Sequence, residues 1–276
     1  MRTTAIAASL PLLAMVVCSV ACDENKYDKY LDGAASASAA VAVAVAPPSA
    51  SVAAPPPAPT YKKKNAADCK PHPTTIDFGD DSGPALEAEV RFKLGKDAGA
   101  ITPADLAQVK SVNLTKAQIR LHQIDPCIFP MFTATKGVFL PPGDYDDLTP
   151  LQKLTTIDAL VIAMSQVKDL RPIEGLKRMD RLDISHTQVG DEEFKSVAQF
   201  VNLTELTMDE TLITDISPVA KLTKLEKLSL KKSQVKSLAP LAALHTLKMV
   251  WIADTDISDI TPVQPLIAGG MKLINK

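Results

Sequence analysis

Asp209 and Glu210 stand side by side in the C-terminal half of the chain, with Asp183 upstream of them. Paired carboxylates can do general acid and base chemistry, provided that something removes them from water and shifts their pKa values. The histidines, His72, His122, His186 and His245, would hold a metal only where two or more converge, and they are far apart in sequence. No glycine-rich phosphate loop, CxxC, HExxH or GxSxG motif occurs in the 276 residues. These residue types point away from an enzyme, and neither a cofactor nor a metal is expected. On an open surface the carboxylates read as a charged binding face. The cysteines carry a sharper signal: Cys22 closes an apolar N-terminal stretch, and Cys69 and Cys127 follow downstream.

Arg2, the apolar run from Ala5 to Val17 and the small residues Ser19 and Ala21 have the layout of a secretory signal over residues 1–21. The run is too short and too proline-interrupted to read as a spanning helix. "SVAC" resembles the lipobox of bacterial lipoproteins, although that family usually has an aliphatic residue where Ser19 stands. The resemblance implies that Cys22 is lipidated and becomes the mature N-terminus, so that the protein is exported and membrane-anchored in the cell envelope, on its periplasmic or surface side. The alternative is ordinary cleavage after Ala21, with Cys22 a plain thiol. Export places Cys69 and Cys127 where a disulfide persists, and they either pair or remain two thiols.

Residues 22–67 carry no core pattern. "GAASASAAVAVAVAPPSASVAAPPPAPT" is low-complexity Ala, Ser and Pro, the composition of a semi-extended tether. Lys62, Lys63 and Lys64 follow it and read as a solvated charge run. A formal net charge of −2 lacks the basic surplus that a nucleic-acid partner needs. Aromatics are 4% of the chain, so the core has to be aliphatic.

That core is written as a repeat. Strand-like starts recur at Val112, Val138, Leu160, Leu182, Leu206, Leu228 and Val250, at intervals of 26, 22, 22, 24, 22 and 22. Two residues after each start comes another aliphatic: Leu114, Leu140, Ile162, Ile184, Met208, Leu230 and Ile252. Later in the coils come "DLTPL", "DLRPI", "DISPV", "SLAPL" and "DITPV". A period in the low twenties marks stacked units, each burying its aliphatics against its neighbours. The segment resembles leucine-rich repeats of the internalin-like bacterial branch. The resemblance implies an α/β solenoid of about seven coils over residues 112–276, with a parallel concave sheet and short convex helices or turns. "ALEAEVRFKLGK" and "GAITPADLAQVKSVNL" resemble that branch's N-terminal cap, placed here at residues 68–111. The chain departs from the family five residues after each start, where Ser165, Thr187, Thr211, Ser233 and Thr255 replace the usual asparagine. Their hydroxyls are expected to satisfy backbone groups where the chain leaves the strand. In the Asp/Ser-x-x-Pro signature, Asp215 or Ser217 is expected to cap a short helix begun by Pro218. The 26-residue first coil contains "HQIDPCIFPMFTATKG", read as a convex insertion that packs on the cap. A Cys69–Cys127 bridge would pin the segment after the tether to it. "GGMKLINK" is expected to add a last edge strand through Met271 and Leu273.

Strand alternation places the residue after each start on the concave face. Phe139, Val161, Asp183 and Trp251 fall in that column, Arg181 and Lys227 in the column before it, and Asp209 and Lys231 two residues further on. The face reads as apolar near Phe139 and Val161, charged in the middle and apolar again at Trp251. A tryptophan buried in a partner can dominate an interface. Trp251 either serves in that way or packs beneath the C-terminal tail. The expected function is binding of another protein through this face; the alternative is a structural spacer with no exchangeable ligand.

Overall fold

The computed structural model describes residues 61–71, 73–79 and 82–276. The apolar N-terminus, Cys22, the tether up to residue 60 and His72 lie outside the described residues. Eight strands form one parallel sheet in sequence order: β1 (Ser111–Asn113), β2 (Gly137–Phe139), β3 (Ala159–Val161), β4 (Arg181–Asp183), β5 (Glu205–Thr207), β6 (Lys227–Ser229), β7 (Met249–Trp251) and β8 (Lys272–Ile274). Register follows the repeat, so that Leu160 aligns with Leu182, Leu206 with Leu228 and Val250 with Leu273. The seven expected starts each sit at a strand centre, and the tail supplies the eighth strand.

Past each strand the ladder continues. The N–H of Ile184 donates to Thr207 O at 2.9 Å, and that of Met208 donates to Ser229 O at 3.0 Å. Two residues later the backbone turns left-handed at Met164, His186, Glu210, Lys232 and Asp254, with φ of 52–57°. Side chains other than glycine and asparagine adopt this region at a cost. It is maintained because each of the first four N–H groups still reaches the next coil, as in His186 N–H to Asp209 O at 2.8 Å. The hydroxyl column then closes the corner. Ser165, Thr187, Thr211 and Thr255 donate to the carbonyl three residues back at 2.7–3.0 Å. Ser233 is buried, and its hydroxyl finds no partner among the described residues.

On the convex side the prolines open short 3-10 turns at Thr149–Leu151, Arg171–Ile173, Ser217–Lys221, Ala239–Leu241 and Thr261–Val263. The cap is the residue that starts each signature. Asp147, Asp169, Asp215 and Asp259 accept the N–H two residues on at 2.8–2.9 Å, so Asp215 rather than Ser217 caps its turn. The 24-residue coil carries the short helix α3 (Asp191–Phe194), which continues as a 3-10 turn through Gln199. Strand, corner and turn residues meet in one aliphatic core in which Leu160, Ile184, Val219 and Leu228 are fully buried. Burying each such side chain contributes roughly 1.5–3 kcal/mol.

The sheet's first edge is closed by the cap. Helix α1 (Gly83–Leu94) buries Leu86 and Val90, one turn apart, and ends at Gly95, whose φ of 62° suits glycine. Its Glu89 accepts the N–H of Asn113 at 2.9 Å, so a side chain does at the edge of β1 what a preceding strand would do. Helix α2 (Pro103–Leu106) is capped by Thr102 and Asp105, which also accepts from Lys96 at 2.8 Å. The first coil's insertion buries Ile128, Phe129 and Phe132. The far end carries α4 (Gln264–Ala268), which leads into β8.

Tyr61 to Ala67, which composition assigns to the tether, forms a strap fastened to the first two coils. Tyr61 stacks on His122 with ring centroids 5.2 Å apart. The Gln123 amide clamps the strap backbone, accepting Lys64 N–H at 2.8 Å and donating to Lys64 O at 2.7 Å. Lys63 and Lys64 pair with Asp146 and Asp125, each at 2.7 Å, so the lysine run is partly bonded rather than wholly solvated. A Cys69–Cys127 disulfide, with Cα atoms 5.2 Å apart, completes the attachment.

Candidate functional concave face

The concave columns lie where strand alternation places them, but neighbouring coils bury some of them more deeply than alternation alone implies. Three cross-strand networks organise the centre. Glu205 on β5 receives Arg181 Nε from β4 at 2.7 Å and pairs through its other oxygen with Lys227 from β6. The Arg181 side chain is only 9% exposed, so it is part of the sheet floor. A buried guanidinium is tolerated here because a carboxylate sits beside it. Asp209 accepts Ser229 Oγ at 2.6 Å and Lys231 N–H at 2.8 Å, with Lys231 Nζ at 3.5 Å. Asp183 accepts Ser185 N–H at 2.9 Å, and Ser185 Oγ in turn accepts Asp209 N–H at 3.2 Å.

Asp183 departs from the expectation that an open face leaves the carboxylates unshifted. Burial pushes its carboxyl up. The Ser185 hydrogen bonds work against the shift, the Asp209 charge adds to it and His186 opposes it. Crowding between neighbouring coils supplies the desolvation that the strand pattern alone does not show. Below the face, burial also pushes the Tyr145 hydroxyl up. Among the described residues no group of three or more His, Cys, Asp or Glu side chains is placed to hold a metal. His122 and His186 instead face Asp144 at 3.2 Å and Glu210 at 3.3 Å.

The two apolar ends differ. Phe139 is 2% exposed, so it is core and not an available contact. Its ring lies over Gly137, where an added Cβ would come within 2.7 Å of it. Next to it Val161 and Ala163 are half-buried, and Met164 on the adjoining corner is 53% exposed. Met164 stands at a corner position that holds His186, Glu210, Lys232 and Asp254 in later coils, and that contrast is the sequence signal that would have singled it out. Trp251 and Met249 at the other end are half-buried. The tail extends the sheet alongside Trp251, in register with Ile274. Glu205, the hub of the central pairing, also escaped the site reading. Its signal was a carboxylate lying between Arg181 and Lys227 in one column.

No family model and no curated protein matches the chain. Among solved structures it is similar to internalin C2 from Listeria monocytogenes at 26% identity, over 66% of this chain and 89% of that one, with a TM-score of 0.54. A second Listeria monocytogenes internalin, inlF, is similar at 22% identity over 69% and 74%, with a TM-score of 0.52. With the open eight-stranded parallel sheet, these likenesses establish a leucine-rich-repeat solenoid.

Proposed function

We propose that this is an exported protein, lipid-anchored through Cys22, that binds another protein through its concave strand face. One observation carries the reading. Half-buried Trp251 and Met249 at one end, and Val161, Ala163 and Met164 at the other, flank a centre whose charges are matched to one another. Large apolar side chains kept partly in water supply the energy of an interface, whereas internally paired charges set register and partner choice. Eight strands at about 4.8 Å span roughly 34 Å, enough for about 800 Å² on each partner. Among the described residues no helix is long and apolar enough to cross a membrane, which is compatible with attachment through the N-terminus.

The test is affinity capture from the detergent-solubilised envelope of the source cells, with the parent chain, a Trp251→Ala/Met164→Glu variant and an exposed Lys224→Glu control as baits. Arg181 is left intact because its burial would confuse misfolding with lost contact. A partner held by parent and control but lost by the double variant supports the reading. Equal capture by all three moves the interface elsewhere, and no specific capture favours the spacer. Intact mass of the mature protein tests acylation: a mass starting at Cys22 with no added lipid removes the anchor.

A further inference from the structure

Between the strap and the outer corner of the first coils lies a cavity of about 500 Å³, a size typical of small-molecule sites. Its walls include Ile124, Pro126, Pro130, Pro150 and the buried Tyr145, and the Cys69–Cys127 bridge forms part of its lining. Most of the charge around it is already matched, because Lys63 pairs with Asp146 and Lys64 with Asp125. Two lining groups differ. Lys153 forms no ion pair among the described residues, and Asp147 uses Oδ1 to cap the Thr149–Leu151 turn, receiving Thr149 N–H at 2.8 Å, while facing no cation partner there. Both flank that one turn, on the cavity's coil side.

A half-open cavity with an apolar wall and, both exposed, one cation and one carboxylate that have no ionic partner among the described residues complements a ligand with an apolar body and both charges. A simple anion would leave Asp147 unmatched, and a simple cation would leave Lys153 unmatched. We propose that this cavity binds a short apolar peptide with free termini, its carboxylate on Lys153 and its ammonium group on Asp147 Oδ2. The clamp and disulfide hold the strap in place before the ligand arrives, so little ordering is required on binding. This site is separate from the concave face and does not depend on the function proposed for it.

Equilibrium dialysis of the full chain against L-leucyl-L-leucine tests the proposal, with N-acetyl-leucyl-leucinamide as a probe of similar shape and no charge. Saturable binding of the free dipeptide is expected, weakened about fivefold by Lys153→Gln, by Asp147→Asn or by blocking the termini. Asp147→Asn keeps an oxygen for the Thr149 N–H, and unchanged melting of both variants separates lost contact from lost fold. Equal binding of free and blocked peptides, indifference to both substitutions, or no saturable binding would overturn the proposal.

Discussion

Removing Glu205 should be far more harmful than replacing the whole ion pair to which it belongs. Arg181 keeps 9% of its side chain exposed and Glu205 20%, so both charges have largely left water. Breaking such a pair from one side costs about 3–5 kcal/mol, whereas an apolar replacement of both partners is often neutral. Partial exposure of Glu205 places Glu205→Ala near the lower figure, about 2–3 kcal/mol, even though Lys227 loses its partner as well. For a domain of this size that lowers the melting temperature by roughly 5–10 °C. The Arg181→Met/Glu205→Leu double variant should lie within about 1 kcal/mol of the parent. Urea unfolding of the parent, Arg181→Met, Glu205→Leu and the double variant, followed by circular dichroism, measures all four corners of the cycle, with Glu205→Ala run beside them. If Glu205→Ala costs less than about 0.5 kcal/mol, or the double variant is as unstable as the single, the floor is wetter than the structure implies and the reasoning fails.

Four further outcomes are expected. Asp183 has a raised pKa, so its folded form retains a proton that the unfolded chain has released, and its penalty grows as pH rises from about 4. Asp183→Asn, which preserves an acceptor for Ser185 N–H, should therefore stabilise the protein at pH 7, with the gain vanishing below about pH 4 in pH-dependent urea titrations. Asp105 behaves oppositely: Lys96 and Thr102 hold its pKa down at about 2, so its contribution is full above about pH 4 and is lost as pH falls toward 2. Asp105→Asn should flatten that acid limb, and an unchanged limb would refute the assignment. Thr187→Ala should cost about 1 kcal/mol because Ile184 O loses its hydroxyl, whereas Ser233→Ala should cost nothing measurable by the same unfolding assay. Gly137→Ala should cost about 1–3 kcal/mol by driving the Phe139 ring off the sheet, and the cost should disappear in a Phe139→Ala background.

The strands were legible because each coil repeats the same aliphatic pair, and a side chain with no alternative burial has to face the next coil. Leu206 over Leu228 could be read from spacing alone, whereas spacing left the convex cap open between Asp215 and Ser217, which the fold assigns to Asp215. The left-handed corners were not legible. His186, Glu210 and Lys232 have no local preference for that conformation, and cross-coil hydrogen bonds impose it. The depth of burial was equally hidden. Alternation places Phe139, Arg181 and Asp183 on the concave side but does not reveal how closely neighbouring coils crowd them. The strap escaped because Tyr61, Lys63 and Lys64 look like the end of a tether until Gln123, Asp125 and Asp146 are brought beside them by the fold.

The Cys69–Cys127 bridge also decides where a mechanical pull would travel. Tension arriving at Tyr61 from the N-terminal side first meets the Gln123 clamp and the two lysine pairs, which can yield one by one. It then crosses the disulfide directly into the first coil. Once the clamp and the lysine pairs have yielded, the intervening chain, which includes α1, α2 and β1 within a sequence separation of 58, lies in a covalent side loop off the load path. The cap that seals the sheet edge through Glu89 is therefore shielded from being peeled away by a pull on Tyr61.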